Sequence, residues 1–300
     1  MKYIVTGGAG FIGSHITDRL IDLGHDVVVV DNLLLGKREF VNPKAKFKKI
    51  DIRNFKKLSK AFKDVDAVFH LAADPRLQLS IEDPITTHEI NVTGTLNVLK
   101  AAVDNKVKKV VFSSSCSVYD DEVDLPIGET GKTQPKNPYS MHKLMGEQYC
   151  QLFGELYGLE TAVLRYFNVF GPRKLNTGSY PMVIPIFLGQ KKEGKKLTIV
   201  GDGKQTRDYI YVSDVVDANV KALESDLKNG EVINIGAGVQ TSVNEIAELI
   251  GGETEFLEQR PGEMRFIEAD NKKAKEVLDW EPTVTLKDGI EELKKDWGLV

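Results

Sequence analysis

Tyr139 and Lys143 stand four residues apart in Pro138-Tyr139-Ser140-Met141-His142-Lys143. At helical spacing they share one face, with Cβ atoms about 5–6 Å apart. A phenol titrates near ~10 on its own, and a neighbouring ammonium together with a positively charged ring lowers it towards a working pH. Tyr139 then becomes a general base for a substrate hydroxyl. Chance alone places about one such pair in a chain of this composition, so its surroundings decide its meaning. Those surroundings are Ser113-Ser114-Ser115, which close an apolar run ahead of a loop leading to Tyr139. A hydroxyl at Ser115 faces the same cleft and can bond the reacting oxygen.

A second constellation opens the chain. Gly7, Gly10 and Gly13 follow the apolar run Tyr3 to Thr6 and precede an amphipathic stretch from Phe11 to Leu23. Strand, glycine turn and helix amino end together suit a pyrophosphate, since the glycines admit the backbone and the helix offers free N–H groups. Asp31 ends the next apolar run, Val27-Val28-Val29-Val30, about 20 residues further on, where a carboxylate accepts hydrogen bonds from an adenosine ribose. A 2′-phosphate beside Asp31 is repelled and no arginine follows immediately, so NAD is expected rather than NADP.

Periodicity supplies the elements that position these groups. Strands are predicted at Lys2–Thr6, Val27–Val30, Phe47–Ile50, Ala67–His70, Lys109–Ser113 and Thr161–Arg165. Helices are predicted at Phe11–Leu23, Phe55–Phe62, Pro84–Asn105 and Pro138–Tyr157, the last capped by Asn137 with Pro138 at its first position. This alternation predicts an α/β fold, a Rossmann-type doubly wound parallel sheet with its chemistry at the strands' carboxyl ends. After Arg165, Gly171-Pro172, Pro181, Pro185 and Gly201-Asp202-Gly203 break the pattern into a smaller C-terminal α+β substrate lobe. Tyr209–Val212, a helix Val215–Ser225 and a strand Glu231–Ile235 are expected to return to the large sheet. The division is then residues 1–166 plus segments near 207–236 for the nucleotide, and 167–206 plus 237–300 for the substrate.

The 300 residues carry a formal charge of −4, which argues against a nucleic-acid surface or an anchor on anionic membranes. No apolar run approaches the ~20 residues of a membrane span, and the chain starts directly in a strand, so a cytoplasmic protein without signal peptide is expected. Cys116 and Cys150 form neither a disulfide framework nor a metal-spaced cluster. His70 reads as a core residue, His142 as solvent-facing, and His15, His25 and His88 lack partners at ligand spacing, so no metal is expected.

The chain resembles the extended short-chain dehydrogenase/reductase family, and within it the UDP-hexose 4-epimerases. The resemblance rests on TGGAGFIG (Thr6 to Gly13), Asp51-Ile52, HLAA (His70 to Ala73), SSS (Ser113 to Ser115), YSMHK (Tyr139 to Lys143), RYFNVFGPR (Arg165 to Arg173), QTRDYIYVSDV (Gln205 to Val215) and RPGE (Arg260 to Glu263). It implies Ser115, Tyr139 and Lys143 as catalytic residues and NAD as cofactor. Gly7, Gly10, Phe11, Ile12 and Gly13 would meet the pyrophosphate, Asp31 and Asn32 the ribose, and Asp51 and Ile52 the adenine. Leu71, Ala72 and Ala73 would line the cofactor with Ser113 and Phe167, Lys143 would hold the nicotinamide ribose, and Asn91 would support the site. On the substrate side it implies Asn168, Met182, Val183, Val200, Arg207, Tyr209, Arg260, Glu263 and Ile267. A diphosphate on an acidic protein needs cationic donors, which independently favours Arg207 and Arg260.

Related dehydratases and decarboxylases of this family carry acidic residues beside the serine position, whereas Ser115-Cys116-Ser117-Val118-Tyr119 has none before Asp120. Reversible 4-epimerisation of UDP-glucose and UDP-galactose is therefore the expected activity. Ile267, four after Glu263, stands where hexose-only epimerases tend to hold a bulky tyrosine, which leaves room for the N-acetyl group of UDP-GlcNAc and UDP-GalNAc. The loop Asp74-Pro75-Arg76 lacks a lysine that some members place near the nicotinamide phosphate, and Arg76 is open between that role and a surface one. UDP-glucuronate epimerisation, another sugar-nucleotide oxidoreduction and a non-catalytic NAD(P) sensor are the alternatives. The resemblance also implies a homodimer joined through Pro84–Asn105 and Pro138–Tyr157.

Overall fold

A computed structural model describes residues 1–120, 124–174, 183–258 and 266–300. The first half alternates β1 (Lys2–Thr6), α1 (Phe11–Asp22), β2 (Asp26–Asp31), β3 (Lys46–Lys49), α2 (Phe55–Ala61) and β4 (Ala67–His70). Three helical pieces follow, α3 (Leu77–Glu82), α4 (Pro84–His88) and α5 (Gly94–Asp104), then β5 (Lys109–Ser115), α6 (Pro138–Tyr157) and β6 (Glu160–Tyr166). The second half holds β7 (Asn168–Phe170), α7 (Val183–Lys192), β8 (Leu197–Val200), β9 (Thr206–Tyr211), α8 (Val212–Glu224) and β10 (Glu231–Ile235). It closes with β11 (Gln240–Ser242), α9 (Val243–Ile250), β12 (Thr254–Leu257), α10 (Lys272–Leu278) and α11 (Leu286–Asp296).

Among the described residues seven parallel strands form the large sheet in the order β10-β6-β5-β4-β1-β2-β3. Its inner strands are apolar on both faces, as helices on both sides require, while the edge strand β3 is Lys-Phe-Lys-Lys. Alternate residues feed opposite cores: Tyr3, Val5 and Val111 pack with Ile16 and Leu20 of α1, while Ile4, Val110 and Phe112 pack with Leu58 and Leu99 from α2 and α5. The strand order steps outward from β1 in both directions, so the carboxyl ends of β1 and β4 border the crevice where ligands bind in such sheets. A separate cluster of Phe170, Phe187, Leu197, Tyr211, Ile246 and Ile290 supports the smaller sheets β11-β9-β7 and β12-β8.

Three expectations change. β10 does return to the large sheet beside β6, but β9 pairs with β7 and β11 instead. The helix expected over Pro84–Asn105 is broken by a π-turn at Glu89–Thr93. It sits where the Thr95 hydroxyl donates to the Asn91 carbonyl at 2.6 Å and the Asn91 amide reaches the Asp74 carbonyl, 17 residues away, at 2.9 Å. Such turns gather at functional sites. His142 is buried, 5% exposed, because α6 lies against this turn and brings its ring to 5.3 Å from that of His88.

Candidate active site

The glycine turn lies flush on the end of β4. Gly7 has φ +73°, and a Cβ there would stand 2.7 Å from the Ala72 nitrogen. A Cβ on Gly13 would stand 2.3 Å from the Gly7 carbonyl oxygen. α1 starts at Phe11 and Ile12 with neither a side-chain cap nor an acidic residue in its first turn, so its amino end keeps its positive character. Leu71 and Ala72 are tied beneath the turn, their N–H groups donating to the Thr6 carbonyl at 3.1 Å and the Thr6 hydroxyl at 3.3 Å; Ala73 follows, half-buried.

Asp31 accepts the N–H of Ala9 at 3.0 Å and of Leu33 at 2.7 Å, which pins its carboxylate beside the turn. Asn32 donates to Asp51 at 3.0 Å, and Arg53 forks the same carboxylate at 3.0 and 2.8 Å. Those bonds hold the Asp51 carboxyl down to about 2. The Ile52 side chain, by contrast, points into the core and fills the place a Cβ on Gly94 would take. Only its backbone is left for a ligand.

At the far side of the crevice β5 runs on to Ser115, two residues beyond the expected end. α6 begins as the sequence suggests, with Asn137 accepting the Ser140 N–H at 2.9 Å and Pro138 in the first turn. It brings the Tyr139 phenol beside the Ser115 side chain. Lys143 reaches from the next turn to donate to the Ser113 carbonyl at 2.7 Å, its nitrogen 5.9 Å from the Tyr139 ring centre. Burial pushes the Tyr139 phenol up to about 12, and the neighbouring Ser115 side chain opposes it. The protein groups alone therefore do not produce the lowered phenol expected above. Burial draws Lys143 down to about 8. Ser113 turns its hydroxyl to Tyr166 at 3.0 Å on the opposite face of the sheet, towards α8.

Several residues support these groups, and of them Ser80 and Thr95 carried no signal of their own in the sequence. Ser80 on α3 accepts the Tyr139 N–H at 3.1 Å, and Asn91 accepts the Asp74 N–H at 2.7 Å. Arg76 forks Asp74 at 2.9 and 2.6 Å, which engages it beside the site. His70 lies between the hydroxyls of Thr6 at 2.7 Å and Thr95 at 2.9 Å. Thr95 spends its proton on Asn91, so His70 must donate from Nε2 and accept at Nδ1; burial holds the ring neutral down to about 3.

On the other lobe, Asn168 donates to the Asp208 carbonyl at 3.2 Å and is the register partner of buried Tyr209. Val183 and Val200 are half-buried, and Arg207 is half-buried with its charge reaching Cys116 beside Ser115. Phe167 and Ile267 pack together with Cys116, Val118 and Ile127. Asp208 was missed from sequence although it sits inside QTRDYIYVSDV. Its buried carboxylate accepts N–H groups of Ala237, Gly238 and Ala269 at 2.6, 2.9 and 3.0 Å, which stitches β9 to the segment carrying Ile267. Met182, Arg260 and Glu263 lie outside the described residues.

With this geometry in place, comparison with known proteins is specific. The profile of the NAD dependent epimerase/dehydratase family matches residues 3–236. The UDP-glucose 4-epimerase of Mycolicibacterium smegmatis is 39% identical, covering 97% of this chain and 96% of its own. The UDP-glucose 4-epimerase of Thermotoga maritima, solved with UDP-glucose, superposes with a TM-score of 0.94 at 40% identity over 99% of both chains. The UDP-N-acetylglucosamine 4-epimerase of Methanobrevibacter ruminantium superposes with a TM-score of 0.92 at 35% identity over 98% of both chains.

Proposed function

Because the chain belongs to the NAD dependent epimerase/dehydratase family, we propose that it is a UDP-hexose 4-epimerase that interconverts UDP-glucose and UDP-galactose with NAD as its cofactor. The observation that carries this reading is the convergence of Ser115, Tyr139 and Lys143 opposite the glycine turn, with no carboxylate at the two positions after Ser115. Cys116 cannot serve as the missing acid, since burial pushes its thiol up to about 12. Asp120 is turned to Lys132 and Lys136 at 2.6 and 3.2 Å.

The residues present fit NAD. Gly7, Gly10 and Gly13 leave a cradle that a Cβ would fill, the amino end of α1 at Phe11 and Ile12 would meet the pyrophosphate, and Asp31 with Asn32 would receive the ribose. Asp51, the backbone of Ile52, Leu71, Ala72, Ala73, Phe167 and Lys143 complete the set. Bound there, NAD would supply the hydride acceptor and donor for C4 of the sugar. Tyr139 removes the O4 proton and gives it back. Ser115 hydrogen-bonds the oxygen as it passes between alcohol and ketone, and the Lys143 ammonium stabilises the phenolate. Asn168, Arg207, Arg260, Glu263, Met182, Val183, Val200 and Tyr209 hold the nucleotide end while the 4-keto sugar turns. In this reading residues 1–166 with β10 bind NAD, and β9 belongs with the substrate lobe.

Ile267 is smaller than the tyrosine expected of hexose-only epimerases, which supports acceptance of UDP-GalNAc and UDP-GlcNAc as well. The deciding assay incubates purified protein with UDP-galactose or UDP-GalNAc and separates the products by chromatography. Both substrates are expected to convert without net NADH, and Ile267→Tyr is expected to lose the acetamido pair by at least about tenfold while keeping the hexose pair. Conversion of UDP-glucuronate alone would overturn the reading.

α4 and α6 expose Ile85 at 74% and Leu156 at 64%, and Ile81 beside α4 is 52% exposed, which supports a homodimer joined through Pro84–Asn105 and Pro138–Tyr157. Light scattering is expected to give twice the single-chain mass of 33.4 kDa, and Ile85→Asp with Leu156→Asp to halve it. Among the described residues no helix is long and apolar enough to cross a membrane, and both cysteines are free and buried. A cytoplasmic enzyme linking glucose and galactose nucleotides accords with both.

A further inference from the structure

Beneath the site lies an ion pair that the proposed reaction does not use. Glu147 of α6 and Arg165 of β6 are each 5% exposed. The guanidinium forks the carboxylate, Nε donating to Oε1 at 2.9 Å and Nη2 to Oε2 at 2.6 Å, and the Ser114 hydroxyl donates to the same Oε1. Arg165 is seated on the Tyr119 ring, 4.6 Å from its centre, and the Tyr119 hydroxyl donates to Asn234 at 2.6 Å. Ser114, Arg165 and Asn234 are register partners across β5, β6 and β10. A buried pair adds little stability beyond what packed apolar side chains of similar volume would give, so a purpose other than stability is needed.

We propose that Glu147, clamped by Arg165, is a positioning residue for Tyr139 and Lys143: it sets the height of α6 along β5 and supplies the counter-charge to the Lys143 ammonium. α6 meets the end of β5 at three points one helical turn apart. The Tyr139 phenol lies beside the Ser115 side chain, Lys143 donates to the Ser113 carbonyl, and Glu147 accepts from the Ser114 hydroxyl. Gly146 makes the approach close enough, since a Cβ there would stand 2.5 Å from the Phe112 ring. Of the three contacts only that of Glu147 is gripped by a two-pronged fork, which resists sliding along the helix axis. The groups facing Lys143 are Tyr139, Glu147 and Cys150 on its own helix and His70 from β4, with the Ser113 carbonyl and Phe112 ring on β5. Burial keeps His70 neutral and pushes the Cys150 thiol upward, so Glu147 is the ionised group that opposes the desolvation of Lys143.

The kinetic part of the test rests on the 4-epimerase reading; the titration of Lys143 does not. The purified protein and Glu147→Gln are labelled with [ε-¹³C]lysine, and the Lys143 resonance, assigned with Lys143→Arg, is followed from pH 6 to 11. UDP-galactose turnover is measured on the same samples. Glu147→Gln is expected to lower the Lys143 midpoint by about one pH unit. It is also expected to lower kcat by roughly ten- to a hundredfold with little change in KM. A midpoint and kcat equal to those of the parent would overturn the proposal. If Glu147→Gln does not fold, Glu147→Met with Arg165→Met removes both charges together. A folded double variant with low kcat and a lowered midpoint supports the proposal, and one that matches the parent in both overturns it. An inactive parent whose Lys143 midpoint still falls in Glu147→Gln would remove the 4-epimerase reading and leave the positioning role standing.

Discussion

Tyr139→Phe is expected to reduce kcat for UDP-galactose by about a thousandfold or more while the protein keeps its fold and its NAD. General acid–base groups contribute roughly 10²–10⁴ in rate, and in the proposed reaction Tyr139 serves as base in one half-reaction and acid in the other. The substitution removes one oxygen. The ring stays on α6, the backbone N–H still donates to Ser80, and Lys143 still reaches the Ser113 carbonyl. The melting temperature should therefore move by no more than a few degrees. Nearby groups cannot take over: His142 is buried, drawn down to about 4 by desolvation, and His70 is locked between two threonines. Turnover within tenfold of the parent would show that some other group moves the O4 proton. The phenol's starting position near 12 sharpens the expectation, because the protein groups leave it protonated at neutral pH. The activity of the parent should accordingly rise with pH until Lys143, near 8, begins to lose its proton.

The large sheet was legible because each strand repeats a short apolar run and each crossover a helical period, and both are local signals. The juxtaposition of Tyr139 and Lys143 was legible for a related reason: they sit on one helix, so helical geometry alone puts them on one face. What escaped depends on contacts between distant segments. The π-turn at Asn91 forms because its side chain finds Asp74, 17 residues away, and no periodicity within Pro84–Asn105 reports that bond. The exposure of His142 was misjudged for the same reason, since α4 and the π-turn cover it. β9 looks like a large-sheet strand by composition, yet Asp208 in its middle is a buried carboxylate that needs the N–H groups of Ala237, Gly238 and Ala269. Leaving that carboxylate unpaired in the sheet core would cost several kcal/mol, roughly the penalty for an unsatisfied buried charge, which favours its place in the smaller sheet. The Glu147–Arg165 pair joins residues 18 apart through the β5–β6 register, and that too is visible only once the strands are aligned.

Gly7→Ala is expected to weaken NAD retention by at least roughly thirtyfold, a larger effect than its cost to the fold. Gly7 holds φ +73°, where an L side chain costs about 1–2 kcal/mol. That strain alone corresponds to a factor of roughly 5–30. The added methyl would also meet Ala72 N at 2.7 Å and Leu71 C at 2.9 Å, both backbone atoms that cannot step aside without moving the end of β4. The variant relieves both by opening the turn, and the turn must close again before the amino end of α1 can meet a pyrophosphate. Gly24→Ala separates the two causes. Gly24 has φ +82° with nothing within 4 Å of an added Cβ, so it carries the strain without the collision and lies at the far end of α1. It should lower the melting temperature by a similar amount and leave bound NAD unchanged. Gly10→Ala, at φ −86° and with a Cβ 3.1 Å from the Gly7 oxygen, should fall between them. NAD released by acid from equal amounts of each purified protein, beside its melting temperature, gives the comparison. Equal NAD in Gly7→Ala and the parent would mean that the turn does not carry the pyrophosphate.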